Sequence, residues 1–163
     1  MNEEVLEALR SFYVGHRQQL FTYAVSITRN RESAEDAIHQ VFQRLLKRTS
    51  LPGAMRPFVF RCVRNEALDD LRRTRVRSAS VFEEDTTPGP AGAPGQRALL
   101  PGELEEALQA LSPDEREVIA LRMNDALTFQ EIADLRGVPL PTVASWHRRG
   151  LEKMRERMAR ENP

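Results

Sequence analysis

The sequence predicts an all-α protein made of two small helical domains joined by a flexible linker. Aromatic residues make up only 6% of the 163 residues, while Leu, Ala, Glu and Arg are abundant, a composition typical of helices. Apolar residues recur at spacings of three and four instead of alternating. A tract rich in Pro, Gly and Ala, residues 86–95, separates two such helical blocks.

The first block begins with two amphipathic segments. A helix or a helix pair is predicted from Glu3 to about Arg29, with apolar residues at Val5, Leu9, Phe12, Leu20, Tyr23, Ala24 and Ile27. The next two residues are predicted to break the helix. Ser33 is then expected to be the N-cap of a second helix. That helix would run to about Arg48, with an apolar stripe at Ala34, Ile38, Val41 and Leu45.

A third helix is followed by a basic cluster. Two prolines and a glycine predict a loop over residues 51–57, because they do not fit a helix interior. The helix is predicted from Phe58 to Leu71, and four arginines follow it: Arg72, Arg73, Arg75 and Arg77. Positive charge complements the dipole at a helix C-terminus, yet four arginines exceed that need. The cluster therefore favours a surface that binds phosphates.

Residues 78–102 are predicted to be the linker between domains at residues 1–77 and 103–163. Its acidic run and its Pro/Gly/Ala tract bury too little apolar surface to order a chain. The second block is predicted to begin with an acidic helix that ends at Leu111. Ser112 as N-cap and Pro113 at the first helical position then mark the start of the next helix.

A helix-turn-helix pattern occupies residues 127–158. Thr128 and Glu131 have the spacing of a capping box at the start of a short helix. Gly137 marks the C-terminus of that helix, and a longer helix is predicted to begin at Thr142. The second helix of such a motif is the one that enters the DNA major groove.

The longer helix of this pattern is basic. Between Pro141 and Arg160 six basic residues stand against two acidic ones, although the whole chain has a net charge of zero. Residues 1–77 are also basic, with 14 Lys and Arg against 9 Asp and Glu. Two separate basic surfaces fit a polyanionic partner. A helical hairpin with a solvated basic face is the alternative interpretation.

Several classes of protein are disfavoured by what the sequence lacks. The single cysteine, Cys62, cannot form an internal disulfide, and no apolar run approaches the ~18 residues of a membrane span. We therefore expect a cytoplasmic protein with no membrane insertion. The chain has no Gly-rich phosphate loop, and its three histidines lack ligand spacing, so we expect no enzyme, no catalytic residues, no metal and no cofactor.

Several segments together resemble the extracytoplasmic-function sigma factors of bacteria. The first is Ala-Glu-Asp-Ala-Ile-His-Gln-Val-Phe at 34–42, and the second runs from Pro57 to Arg73. Residues 108–118 and 127–149 complete the pattern in the family's order and spacing. The resemblance implies that the first domain, sigma region 2, binds RNA polymerase and melts the promoter −10 element. The second domain, sigma region 4, would read the −35 element.

The resemblance also implies three sets of site residues. The polymerase-binding surface would contain Asp36, His39, Gln40 and Phe42. The loop 51–56 would approach a flipped base, and the −10 DNA would be held by Arg61, Arg64, Asn65, Arg72 and Arg73. The −35 element would be contacted by Thr142, Ser145, Trp146, Arg148, Arg149 and Lys153. Trp146 could contact the DNA or pack on a neighbouring helix.

The implied partners are core RNA polymerase, double-stranded promoter DNA and an anti-sigma factor. The chain has His39-Gln40 where the family usually has Gln followed by an acid, and Ala144 and Trp146 where it usually has Lys or Arg. A sigma-like decoy that sequesters an anti-sigma factor is one alternative, and a stand-alone helix-turn-helix regulator is another. Such regulators usually dimerise, and the sequence has no long heptad seam, so a monomer is predicted.

Overall fold

The fold is described from a computed structural model, which covers residues 2–81, 102–123 and 126–161. Within these ranges the chain forms seven helices and no strand, which confirms the predicted all-α class. The helices are α1 (Glu3–Thr28), α2 (Arg31–Leu46), α3 (Met55–Val81), α4 (Gly102–Gln109), α5 (Pro113–Arg122), α6 (Phe129–Arg136) and α7 (Leu140–Glu161). We refer to α1–α3 as the N-terminal helices and to α4–α7 as the C-terminal helices.

The junction between α1 and α2 differs from the prediction at one cap. α1 is a single helix, and it ends where Arg29 adopts a left-handed conformation with φ of 57°. The N-cap of α2 is Asn30, whose side chain accepts a hydrogen bond from the backbone N–H of Ser33. The predicted N-cap, Ser33, is therefore wrong. Both residues are good caps, and the reversal of the chain at Arg29 places Asn30 at the helix entrance.

α3 is longer at both ends than the sequence predicted. It begins at Met55, so Pro57 lies in its first turn, where a proline removes no helical hydrogen bond. It continues to Val81, beyond the predicted end at Leu71, so the arginine cluster lies in the body of the helix. The helix also enters the predicted linker, whose residues 82–101 lie outside the described residues.

The C-terminal helices follow the predicted start signals closely. Ser112 and Thr128 both form complete capping boxes, and Gly137 ends α6 with φ of 64°. α7 begins at Leu140, two residues before the predicted start, because a proline is also accepted in the first turn. α4 ends at Gln109, short of the predicted Leu111.

The N-terminal and C-terminal helices share one apolar core. α1 packs against α5, and α3 packs against α6. Tyr23 and Phe60 from the N-terminal helices are fully buried in the same cluster as Leu121 and Ile132 from the C-terminal helices and Leu127 from the loop between α5 and α6. This packing brings the predicted −10 helix, α3, beside the first helix of the helix-turn-helix, α6.

Candidate nucleic-acid interface

The helix-turn-helix is held together by apolar packing across its turn. Val143, near the start of α7, is fully buried. The ring of His147 lies edge-on to Phe129 of α6, with centroids 5.1 Å apart. Burial, with a smaller effect of nearby Arg122, lowers the pKa of His147 below its usual value. A neutral imidazole is therefore favoured in this aromatic contact, which fixes the angle between α6 and α7.

The predicted −35 residues fall into two groups. Thr142, Ser145 and Trp146 are half-buried, whereas Arg148, Arg149 and Lys153 are exposed. The Trp146 ring lies over the Arg136 guanidinium of α6 at 5.1 Å, so the tryptophan contacts a neighbouring helix, the second of its two interpretations. Arg148 and Arg149 are exposed on α7, where phosphates can reach them.

Lys153 is engaged inside the C-terminal helices. Its Nζ donates to both carboxylate oxygens of Glu115 on α5, at 3.0 and 2.9 Å. Burial alone would raise the pKa of Glu115, but the bonds from Lys153 and from the Ser112 backbone outweigh it and hold that pKa below its usual value. Lys153 therefore fastens α7 to α5, a role that the basic pattern of α7 did not indicate.

Gly150 is a position that was not predicted from the sequence. It is buried in the middle of α7, and a Cβ placed on it would lie 3.1 Å from Ile119 Cγ1 of α5. A glycine inside a strongly periodic helical segment indicates that another helix packs closely there, so the sequence pattern could have predicted this contact. The missing side chain lets α7 pack directly on α5, which sets how far the exposed arginines of α7 project.

Two substitutions at Gly150 should separate the cost of overpacking against α5 from the gain in helix propensity. Gly150→Leu is expected to destabilise the fold by about 1–3 kcal/mol, because its branched side chain must displace Ile119. Gly150→Ala should be close to neutral, since its gain in helix propensity of up to about 1 kcal/mol offsets the tight contact. Urea unfolding followed by circular dichroism would measure both. Equal stability of the two variants would contradict the close packing of α7 on α5.

The predicted −10 residues also divide by exposure. Arg61 and Asn65 are exposed, and the side chains of Arg72 and Arg73 are 75% and 51% exposed. The side chain of Arg64 is only 24% exposed, because it points towards the C-terminal helices. α3 thus presents most of the predicted set to solvent and one member to the interface between the two groups of helices.

A buried glutamate positions part of this surface. The Glu66 side chain is 5% exposed and accepts from Arg44 at 2.6 Å and from Arg73 at 3.0 Å. A buried carboxylate needs such partners, since an unpaired charge would be expensive. Glu66 therefore links α2 to α3 and orients Arg73. The sequence pattern did not single it out, because a glutamate among arginines on a helix is typical of ordinary surface.

The loop before α3 and the first residues of α3 contact the shared core and the C-terminal helices. Leu51 and Met55 pack against the shared core. The Arg56 guanidinium donates to Glu131 of α6 at 2.8 Å. The segment that the resemblance assigns to a flipped base is therefore held against α6 at Arg56, while its residues 52–54 are exposed.

The predicted polymerase-binding residues lie along a groove between α1 and α2. The groove has a volume of about 920 Å³, and Asp36, His39 and Phe42 line it, whereas Gln40 is exposed outside it. Tyr13 of α1 stands edge-on to Phe42, with ring centroids 5.3 Å apart. Because Tyr13 is 43% exposed, the groove has an accessible aromatic wall and a charged rim.

Two kinds of feature were not found among the residues that the structure describes, a metal-ligating cluster and a helix suited to crossing a membrane. These residues contain no group of three or more His, Cys, Asp and Glu side chains placed to hold a metal ion. In the same part of the chain, no helix combines the length and the apolar character needed to cross a bilayer.

An all-helical chain with a helix-turn-helix and two exposed arginine surfaces belongs to the class of DNA-binding proteins. Comparison with known proteins defines the family. Residues 12–77 match the family model described as Sigma-70 region 2, and residues 102–154 match Sigma-70, region 4.

Relatives extend the match over most of the chain. The RNA polymerase sigma factor CarQ of Myxococcus xanthus is 30% identical over 154 residues, which cover 92% of this chain and 88% of CarQ. The ECF RNA polymerase sigma factor SigL of Mycobacterium tuberculosis is 27% identical, with coverage of 84% and 81%.

A solved structure agrees in fold. The sigma factor RpoE of Bartonella quintana, crystallised with the anti-sigma factor NepR, superposes with a TM-score of 0.71 at 20% identity. The match covers 94% of this chain and 98% of that one. The chain therefore belongs to the sigma-70 family, among the extracytoplasmic-function sigma factors. Proteins of this family are transcription initiation factors that bind core RNA polymerase and direct it to promoters.

Proposed function

We propose that this sigma factor divides promoter recognition between the exposed arginines of α3 and those of α7. Arg72 and Arg73 would hold the −10 DNA, and Arg148 and Arg149 would hold the −35 DNA. The observation that carries this proposal is their exposure on two helices that belong to different groups. Guanidinium groups bind phosphate through paired hydrogen bonds, which suits both surfaces.

The proposed division follows the domain boundaries expected from the sequence. Residues 1–77 would bind polymerase and −10 DNA, residues 78–102 would connect the domains, and residues 103–163 would read the −35 element. Arg61 and Asn65 extend the −10 surface along α3, because both are exposed. Thr142 and Ser145 would lie at the edge of the −35 surface.

The α1–α2 groove is the proposed site for core RNA polymerase. It combines apolar side chains with the charged Asp36, a surface suited to a partner helix. Gln40 lies beside the groove, where it would contact the partner's rim. A sigma factor acts where polymerase and DNA are, so we place the protein in the cytoplasm.

We also propose regulation by an anti-sigma factor. A sigma factor of the same fold, RpoE of Bartonella quintana, was crystallised in complex with such a partner, NepR. The groove and the arginine surface of α3 both lie on the N-terminal helices, so one protein could cover both. A protein of this kind would hold the chain away from polymerase.

The proposal is tested by capture of core RNA polymerase on the purified chain, followed by sequencing of the DNA that the holoenzyme melts. Tyr13→Ala is expected to weaken polymerase binding about tenfold or more, because an exposed aromatic in a groove has the properties of a binding hot spot. The matched control is Val14→Ala, since Val14 is 70% exposed and does not line the groove. Equal polymerase binding by both variants would refute the groove assignment.

A further inference from the structure

A buried carboxylate holds two arginine side chains from different helices side by side. The Glu66 side chain of α3 is 5% exposed, and each of its oxygens accepts from one guanidinium. Arg44 Nη2 of α2 donates to Oε2 at 2.6 Å, and Arg73 Nη2 of α3 donates to Oε1 at 3.0 Å. The two guanidinium groups are therefore fixed on one carboxylate at the seam between α2 and α3. We refer to Arg44, Glu66 and Arg73 as the arginine fork.

Both arginines of the fork remain accessible to a ligand. The side chains of Arg44 and Arg73 are 61% and 51% exposed. Each arginine uses one nitrogen in its bond to Glu66, whereas a guanidinium has about five N–H donors, so donors are left for a second acceptor. Two positive charges and one negative charge leave the fork with a net charge of +1. One phosphodiester group, with its single negative charge, would neutralise it.

The fork lies beside the residues that the proposed function assigns to −10 DNA. Burial raises the pKa of the Cys62 thiol, and the guanidinium groups of Arg44 and Arg61 both oppose that rise. Arg44 of α2 is therefore close to Arg61, an exposed member of the −10 set on α3. Arg44 does not line the α1–α2 groove. α2 thus turns one face towards the groove and another towards the basic surface of α3.

Holding α2 against α3 does not by itself account for a buried charge at this position. The two helices already share an apolar core, in which Val41, Leu45, Val59 and Val63 are buried. Burying a carboxylate is costly, and an apolar side chain of similar volume often gives equal or greater stability. Glu66 is explained better by its effect on the two arginines than by the packing of the helices.

We propose that the arginine fork binds one phosphate of the −10 DNA, with Arg44 as a DNA-binding residue of α2 and Glu66 as the positioning residue for both guanidinium groups. The inference rests on the proposed function, because it takes α3 as the −10 surface. Hydrogen bonds between guanidinium and phosphate are charge-assisted and directional. Because Glu66 already orders both side chains, DNA binding has less conformational entropy to overcome.

A phosphate bound by the fork would set the position of the DNA backbone without reading a base. The loop that the resemblance assigns to a flipped base, residues 51–56, connects α2 to the start of α3. The fork joins the same two helices. The bound phosphate and the loop would therefore keep a fixed relation to each other while a base leaves the stack.

The test measures the affinity of the full chain for a fluorescein-labelled AT-rich duplex with a central unpaired bubble, by fluorescence anisotropy across a salt series. Arg44→Ala should weaken binding about tenfold and lower the slope of log affinity against log salt by about one, because one phosphate is no longer neutralised. The matched control is Arg160→Ala, which removes the same charge from an exposed position in the last turn of α7. It should leave the salt slope nearly unchanged.

Glu66→Gln separates positioning from charge. The amide keeps the shape of the side chain, but it holds the two guanidinium groups less firmly and makes the chain more positive by one charge. General attraction to DNA would then tighten binding. The fork predicts the opposite, a loss of affinity of about threefold or more with no fall in the salt slope, because both arginines remain. Circular dichroism would confirm that the variant is folded, and Arg44→Ala carries the test if it is not.

Arg72→Ala tests the proposed function separately, because Arg72 lies on α3 outside the fork. If Arg72→Ala weakens binding and Arg44→Ala behaves like Arg160→Ala, the fork is overturned and the −10 surface stands. Unchanged or tighter binding by folded Glu66→Gln overturns the positioning role of Glu66. Wild-type affinity in the Arg44, Glu66 and Arg72 variants alike overturns the proposed −10 surface, and the fork with it.

Discussion

Replacement of both Arg72 and Arg73 by alanine is expected to lower promoter affinity about tenfold or more while leaving the fold intact. Their side chains are 75% and 51% exposed, so little packing is lost, and Arg44 still donates to the buried Glu66 when Arg73 is removed. Each guanidinium that contacts a phosphate adds about one to the salt dependence of binding. The slope of log affinity against log salt should therefore fall by about two. Fluorescence anisotropy across a salt series measures both quantities.

A matched double variant controls for the loss of positive charge. Arg155 and Arg160 are also exposed arginines, but they lie in the last two turns of α7, outside the three proposed sites. Alanine at both positions removes the same charge and should leave the salt slope nearly unchanged. If the two double variants weaken DNA binding equally, general electrostatic attraction accounts for the effect and the −10 surface is wrongly placed.

Leu121→Ala is expected to lower the free energy of unfolding by about 2–5 kcal/mol. Leu121 is fully buried in the cluster that contains residues of both groups of helices. Because that cluster is continuous, we expect the variant to speed hydrogen exchange in the N-terminal helices as well as in α5. Mass spectrometry of exchanged peptides would resolve the two regions.

Leu111→Ala provides the comparison for this experiment. Leu111 is buried in a separate small cluster with Leu108 and Ile119, which lies within the C-terminal helices. Its truncation should speed exchange there and leave the N-terminal helices protected. Should Leu121→Ala also leave the N-terminal helices unaffected, the two groups of helices would not share a core in solution.

The elements that sequence predicted best are those governed by neighbouring residues. The capping boxes at Ser112 and Thr128 and the left-handed Gly137 depend on side chains within three or four positions. Their spacing and chemistry are therefore visible in the sequence. The helix-turn-helix and the family resemblance rest on the same local patterns.

The errors of prediction arose where two local signals compete. Asn30 and Ser33 are both good N-caps, and the turn at Arg29 selects Asn30. Pro57 and Pro141 made the predicted starts of α3 and α7 too late. A proline is accepted throughout the first turn of a helix, so it does not mark the first residue of that helix. The arginines after Leu71 resemble a helix end, and α3 continues through them.

By itself, the sequence determined the helical class, the capped starts of α5 and α6 and the basic residues available for phosphate binding, because these depend on local spacing and side-chain chemistry. Only the tertiary structure decided which of those residues are accessible. Arg64 and Glu117 are 53 positions apart, and nothing local relates them. The two side chains come into contact because α1 and α3 pack against α5 and α6. That packing removes Arg64 from the exposed basic surface of α3 and makes it the partner of a buried carboxylate.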